Sequence, residues 1–106
     1  MKLTVIGCSG SFPGPYSPAS CYLLQTEHEG RVWSIVLDLG NGSLGVLQRH
    51  VDPTALDAVI LSHLHADHFL DMCGLYVMAK YQPGPRERTP IRVIGPADTP
   101  QRVGLA

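Results

Sequence analysis

The sequence predicts an α/β fold, and three observations carry the prediction. Short apolar runs rich in β-branched residues recur at 3–6, 32–39, 58–61 and 91–94. Two stretches, 43–50 and 69–81, carry apolar residues at helical spacing. Glycine and proline punctuate the junctions, so the elements follow in the order β, ββ, α, β, α, β.

Each element has a local reason. Residues 3–6 form a short apolar strand that Gly7 ends. Residues 7–20 contain three glycines, three prolines and four serines, the composition of a loop. Residues 21–26 and 32–39 flank a segment of hairpin length with a turn glycine, Gly30, and Asp38 closes the second strand. Ser43 is placed to cap a short helix over 43–50, with Leu44 and Leu47 on its apolar side. Asp52-Pro53 restarts the chain, and 58–61 is a strand running directly into Ser62-His63. Asp67 stands at an N-cap position for a helix over 69–81, with Phe69, Met72, Tyr76 and Ala79 on one stripe. Pro83-Gly84-Pro85 stops it, and 91–94 is the next strand. Residues 101–106 look like a helix just beginning, which marks the chain as a truncated domain.

Composition narrows the function classes. The chain has 106 residues, 44% hydrophobic and 16% charged, the balance of a globular protein and not of a disordered one. A net charge of −1 excludes a diffuse positive field for gripping nucleic acid. Arg86, Arg88 and Arg92, with Glu87 among them, are either a local basic patch or a solvated loop. Three cysteines, Cys8, Cys21 and Cys73, have no Cys-x-x-Cys spacing, which argues against a disulfide framework or a zinc knuckle. The apolar start is too short for a signal peptide, and no run approaches the length of a membrane span. The expected setting is soluble, reducing and cytoplasmic, with no membrane partner.

The chemistry concentrates at His63-Leu64-His65-Ala66-Asp67-His68, directly after a strand. Three of the five histidines fall there beside an aspartate. In extended chain, residues two apart point the same way, so His63 and His65 can grip one ion. Where the chain turns into a helix, Asp67 and His68 can splay towards a second. Imidazole nitrogen and carboxylate oxygen suit zinc and similar borderline ions.

This run matches the His-x-His-x-Asp-His motif of the metallo-β-lactamase superfamily. Thr4-Val5-Ile6-Gly7-Cys8-Ser9-Gly10-Ser11 and Val36-Leu37-Asp38-Leu39-Gly40-Asn41-Gly42 agree with it. Together they resemble the ribonuclease Z-like branch, with its tRNA-processing and cyclic-nucleotide phosphodiesterase members. The resemblance implies a sandwich of two β-sheets with helices outside, an αββα architecture, of which residues 1–106 are the N-terminal portion. It implies two divalent metal ions, zinc first and manganese as the alternative: His63 and His65 would hold one, Asp67 and His68 the other. The metals would lower the pKa of bound water to about 7, and Asp67 would orient that water or take its proton.

Asp38 is either a partner of a ligand histidine or a turn-capping residue. Phe12, Pro13 and Tyr16 either contact a base or shape their loop. The family completes its site with a histidine, a bridging aspartate and a second histidine, all later in the chain. No histidine follows His68, and Asp71 and Asp98 stand in no matching context. These 106 residues alone are therefore expected to bind metal weakly and catalyse little. The expected activity of the parent protein is metal-dependent hydrolysis of a cyclic nucleotide or an RNA 3′ end, by a homodimer. A non-catalytic metal-binding or interaction module, or a thioester or lactam hydrolase on the same fold, is the alternative.

Overall fold

Alternation of side chains along the strands decides how the sheet is covered. The computed structural model describes residues 1–62, 70–81, 91–97 and 99. Within them β1 (Lys2–Gly7), β2 (Cys21–His28), β3 (Arg31–Leu37), β4 (Ala58–Ile60) and β5 (Arg92–Ile94) form one sheet in the order β1-β2-β3-β4-β5. The first two pairings are antiparallel and the last two parallel.

Thr4, Leu23, Val36 and Val59 stand in one register row, and the last three are fully buried. Side chains one position along point to the opposite face. Under the buried face lie α1 (Ser43–Leu47), a 3₁₀ turn at Pro53–Ala55 and α2 (Met72–Tyr81). The core joins Ile6, Cys21, Leu23, Val36 and Val59 from the sheet side to Leu39, Leu47, Leu56, Leu61, Met72 and Leu75. Among the described residues this is the mixed sheet and helical layer that the sequence implies.

Several local expectations are refined. The hairpin is tighter than the sequence indicates: strands reach His28 and Arg31, leaving a two-residue turn at Glu29-Gly30. Both have positive φ, 53° and 76°, the condition of a type I′ turn, which suits the twist of paired strands. β3 ends at Leu37, and Asp38 lies beyond it in the left-handed region at φ 60°.

Two corrections concern the helices. Ser43 is not the cap of α1; Gly42 holds that place, and the Ser43 hydroxyl donates to the Gly40 carbonyl at 2.6 Å. The buried stripe of α2 carries Met72 and Leu75, while Tyr76 and Ala79 are exposed; Phe69 lies outside the described residues. The stripe is shifted because α2 meets α1 at Gly74, where an added Cβ would stand 2.8 Å from Leu44 Cδ2. Close approach at that point sets which side of α2 turns inwards. His28 and His50 are exposed, as expected of surface residues.

Candidate metal centre

The elements converge at the end of the sheet where β4 leaves its neighbours. β4 runs parallel to β3 and β5, and its chain continues through Leu61 to Ser62. The predicted ligands His63, His65, Asp67 and His68 lie outside the described residues. The structure does define both flanks of that stretch, and both are fastened to one loop, residues 38–44.

The leading flank is held by Asp38. Its left-handed backbone turns a carboxylate that is only 5% exposed towards Ser62. Oδ1 accepts from the Ser62 amide at 2.8 Å and Oδ2 from the Ser62 hydroxyl at 2.7 Å. The Asp38 amide donates to the Ile60 carbonyl at 2.8 Å, which continues the β3–β4 ladder past the end of β3. Charge-assisted bonds of this kind are about twice as strong as neutral ones. Asp38 thus fixes the backbone one residue before His63. Its reading as partner of a ligand histidine concerns residues outside those described; the bond to Ser62 gives it a role at the motif's edge.

The trailing flank is held by Asp71, a residue that sequence reasoning set aside. Its Oδ2 accepts from the Leu44 amide at 2.8 Å, and its own amide donates to the Leu39 carbonyl at 3.1 Å. Leu44 is the second residue of α1, whose amide has no partner within the helix. The cap that Ser43 does not supply is thus supplied by a carboxylate 27 positions away. No local signal could have found it, since the capping rules read neighbours along the chain.

Beneath the loop sits Cys21, fully buried. Burial pushes its thiol up to about 12; a hydrogen bond with Ser43 opposes this, and the nearby Asp71 and Asp38 carboxylates add to it. The thiol is therefore a neutral packing group at physiological pH and no candidate nucleophile or ligand. Loop 38–44 is in turn pinned to the 8–20 loop, by Gly40 N–H to the Ser20 carbonyl and Ala19 N–H to the Asn41 carbonyl, each 3.1 Å. A Cβ on Gly7 would meet the Ala19 carbonyl oxygen at 2.1 Å, so glycine there lets the two backbones touch.

The 8–20 loop takes its shape from backbone and serine bonds. Ser9 N–H donates to the Pro18 carbonyl at 3.1 Å, and the Ser17 hydroxyl accepts from the Cys8 amide at 2.9 Å. Phe12 and Tyr16 are exposed on this loop. Among the described residues, no three of His, Cys, Asp and Glu lie close enough to hold a metal ion. No described helix is long and apolar enough to cross a membrane.

Comparison with known proteins agrees with this geometry. The model of the metallo-beta-lactamase superfamily matches residues 14–75. An uncharacterized protein of Mycobacterium tuberculosis is 50% identical over 106 residues, covering 100% of this chain and 37% of its own length. The chain thus spans little more than a third of that relative. The crystal structure of YhfI from Bacillus subtilis, described as a metallo-beta-lactamase fold protein, superposes with a TM-score of 0.79 at 34% identity, over 98% of this chain and 40% of that one.

The human protein named zinc phosphodiesterase ELAC protein 1 is 30% identical over 98 residues, 91% of this chain and 26% of its own length. Its structure, that of the short form of human tRNase Z, superposes with a TM-score of 0.81 at 25% identity, over 99% of this chain and 39% of that one. By family match, shape and the motif at the end of β4, the chain belongs to the metallo-beta-lactamase superfamily.

Proposed function

We propose that the protein carrying this chain is a metal-dependent phosphodiesterase whose substrate is a small nucleotide ester such as a cyclic nucleotide, with an RNA 3′ end as the competing substrate. One observation carries the reading: the residues on either side of the 63–68 motif, Ser62 and Asp71, are both bonded to residues 38–44 at the end of the parallel strands. Asp38 grips Ser62 before it and Asp71 grips Leu39 and Leu44 after it. The carboxyl ends of parallel strands are where open α/β sheets bind ligands.

The donor chemistry suits divalent metal. Three imidazoles and a carboxylate in six positions match what zinc takes and manganese tolerates. His63 and His65 would hold one ion, and Asp67 and His68 a second. When bound, such ions supply charge stabilisation and a water acidic enough to attack at neutral pH. Asp67 would orient that water or accept its proton, and Asp38, bonded to Ser62, would keep the start of the motif in register. The names of two relatives, probable metallo-hydrolase and zinc phosphodiesterase, support the class of reaction. The net charge of −1 favours a small nucleotide over a long polyanion. The exposed Phe12 and Tyr16 give a base something to stack on at the same end of the sheet.

The test is hydrolysis of cyclic AMP and of precursor tRNA by the full-length protein with zinc or manganese. The expected result is turnover of the cyclic nucleotide, lowered about a hundredfold or more by His63→Ala, since even residues that only support a metal ligand cost about 10–100-fold. Cleavage of the tRNA alone would shift the substrate to RNA. Undiminished activity of His63→Ala on both substrates would overturn the assignment.

A further inference from the structure

We propose that Asp71 is a positioning residue for the second half of the metal motif, acting through the α1 N-terminus. The inference rests on reading residues 63–68 as that motif. Ser62 before the stretch and Asp71 after it are both fastened to loop 38–44, by chemically different latches. At the leading end the loop supplies the acceptor: Asp38 takes two hydrogen bonds from Ser62, which adjoins His63. At the trailing end the loop supplies both a donor and an acceptor. The Leu44 amide donates to Asp71 Oδ2 at 2.8 Å, and the Leu39 carbonyl accepts from the Asp71 amide at 3.1 Å.

Asp71 stands three residues after His68 and four after Asp67, so its latch sets where that half of the motif meets the helix. The Asp71 carbonyl accepts the Leu75 amide at 3.1 Å, which ties the residue to the first turn of α2 as well. Loosening it frees the chain on the side of Asp67 and His68. The side of His63 and His65 stays anchored through Ser62.

The latch is built to be stiff. Loop 38–44 is braced internally by Ser43, whose hydroxyl donates to the Gly40 carbonyl at 2.6 Å. It is braced from the side by Ser20 and Ala19. Two latches on one braced loop hold the residues on either side of the motif, and a two-metal site requires its ligands to be held in fixed positions.

The experiment is a zinc titration of the full-length protein against a chromophoric chelator, with thermal unfolding of the same samples. Four variants are compared with wild type: Asp71→Ala, Asp71→Asn, Leu47→Ala and His63→Ala. Asp71→Ala is expected to weaken one of two zinc equivalents by about 10–100-fold and leave the other within about twofold. Asp71→Asn, whose amide oxygen still accepts from Leu44, is expected to recover most of that loss. Leu47→Ala removes core contact below the loop without touching either latch; it is expected to lower the unfolding temperature while both zinc affinities hold.

Equal weakening of both equivalents in Asp71→Ala, or loss in Leu47→Ala that follows unfolding temperature in the same way, would overturn the positioning role. So would wild-type binding by Asp71→Ala. Failure of the underlying motif reading has a different signature: His63→Ala would then bind zinc as wild type does.

Discussion

At the scale of single residues, the buried Cys21 thiol makes a pH prediction with a definite sign. Its pKa is raised from the usual 9.0 to about 12 by burial, so the folded chain keeps its proton where the unfolded chain has lost it. The stability this contributes is whole below about pH 9 and is lost as pH rises towards 12. Above pH 9 the loss approaches about 1.4 kcal/mol per pH unit. Urea unfolding at pH 8 and pH 10.5 should show the midpoint falling in wild type, with a shallower fall in Cys21→Ala. An equal fall in both would place the alkaline sensitivity elsewhere. Cys8 and Cys73 are exposed and are expected to react with a thiol reagent in the folded chain, ahead of Cys21.

At the scale of elements, the sheet is fastened at the end far from the motif by Asp57, just before β4. Its Oδ2 accepts from the buried Ser34 amide on β3 at 2.8 Å, and its carbonyl accepts from the Arg92 amide on β5 at 3.2 Å. Its other carboxylate oxygen is paired with Arg31, whose guanidinium lies 3.7 Å over the Trp33 ring. Asp57→Ala leaves the Ser34 donor without its acceptor and is expected to cost about 1–3 kcal/mol in urea unfolding. Arg31→Ala, at a half-exposed pair, is expected to cost less than about 1 kcal/mol. The reverse order would show that the guanidinium, and not the joint between parallel strands, is what matters.

The same scale shows why some of this was legible in the sequence and some was not. The strands, both helices and the hairpin were readable because apolar period, glycine and proline act on neighbours along the chain. The motif was readable because its donors are contiguous. Asp57 and Asp71 were not, because each acts on a residue more than 20 positions away. Nor was the face of α2, which is set by contact between Gly74 and Leu44.

At the scale of the molecule, the two faces of the sheet differ. One is covered by α1, the 3₁₀ turn and α2. On the other, Val5 shares a register row with Tyr22, Leu37, Ile60 and Ile94, and Leu3 shares the next with Leu24 and Ile35. Leu3 is 59% exposed, Val5 53% and Ile94 52%. A broad apolar face of this kind marks a contact surface. This chain produced by itself is expected to bind a hydrophobic dye, and Leu3→Lys with Ile94→Lys to lower the signal at least about twofold, by breaking the apolar patch. Unchanged dye binding would show that the face is not the site of uptake.

The strand order has a consequence for how the chain comes to be folded during synthesis. Among the described residues, each strand pairs with the strands made just before and just after it, from β1 through β5. These five strands can therefore be laid down in the order of translation. Pairings close in sequence cost little chain entropy and form early. The ribosome would deliver loop 38–44 first, and afterwards Ser62 and Asp71, the two residues that fasten to it.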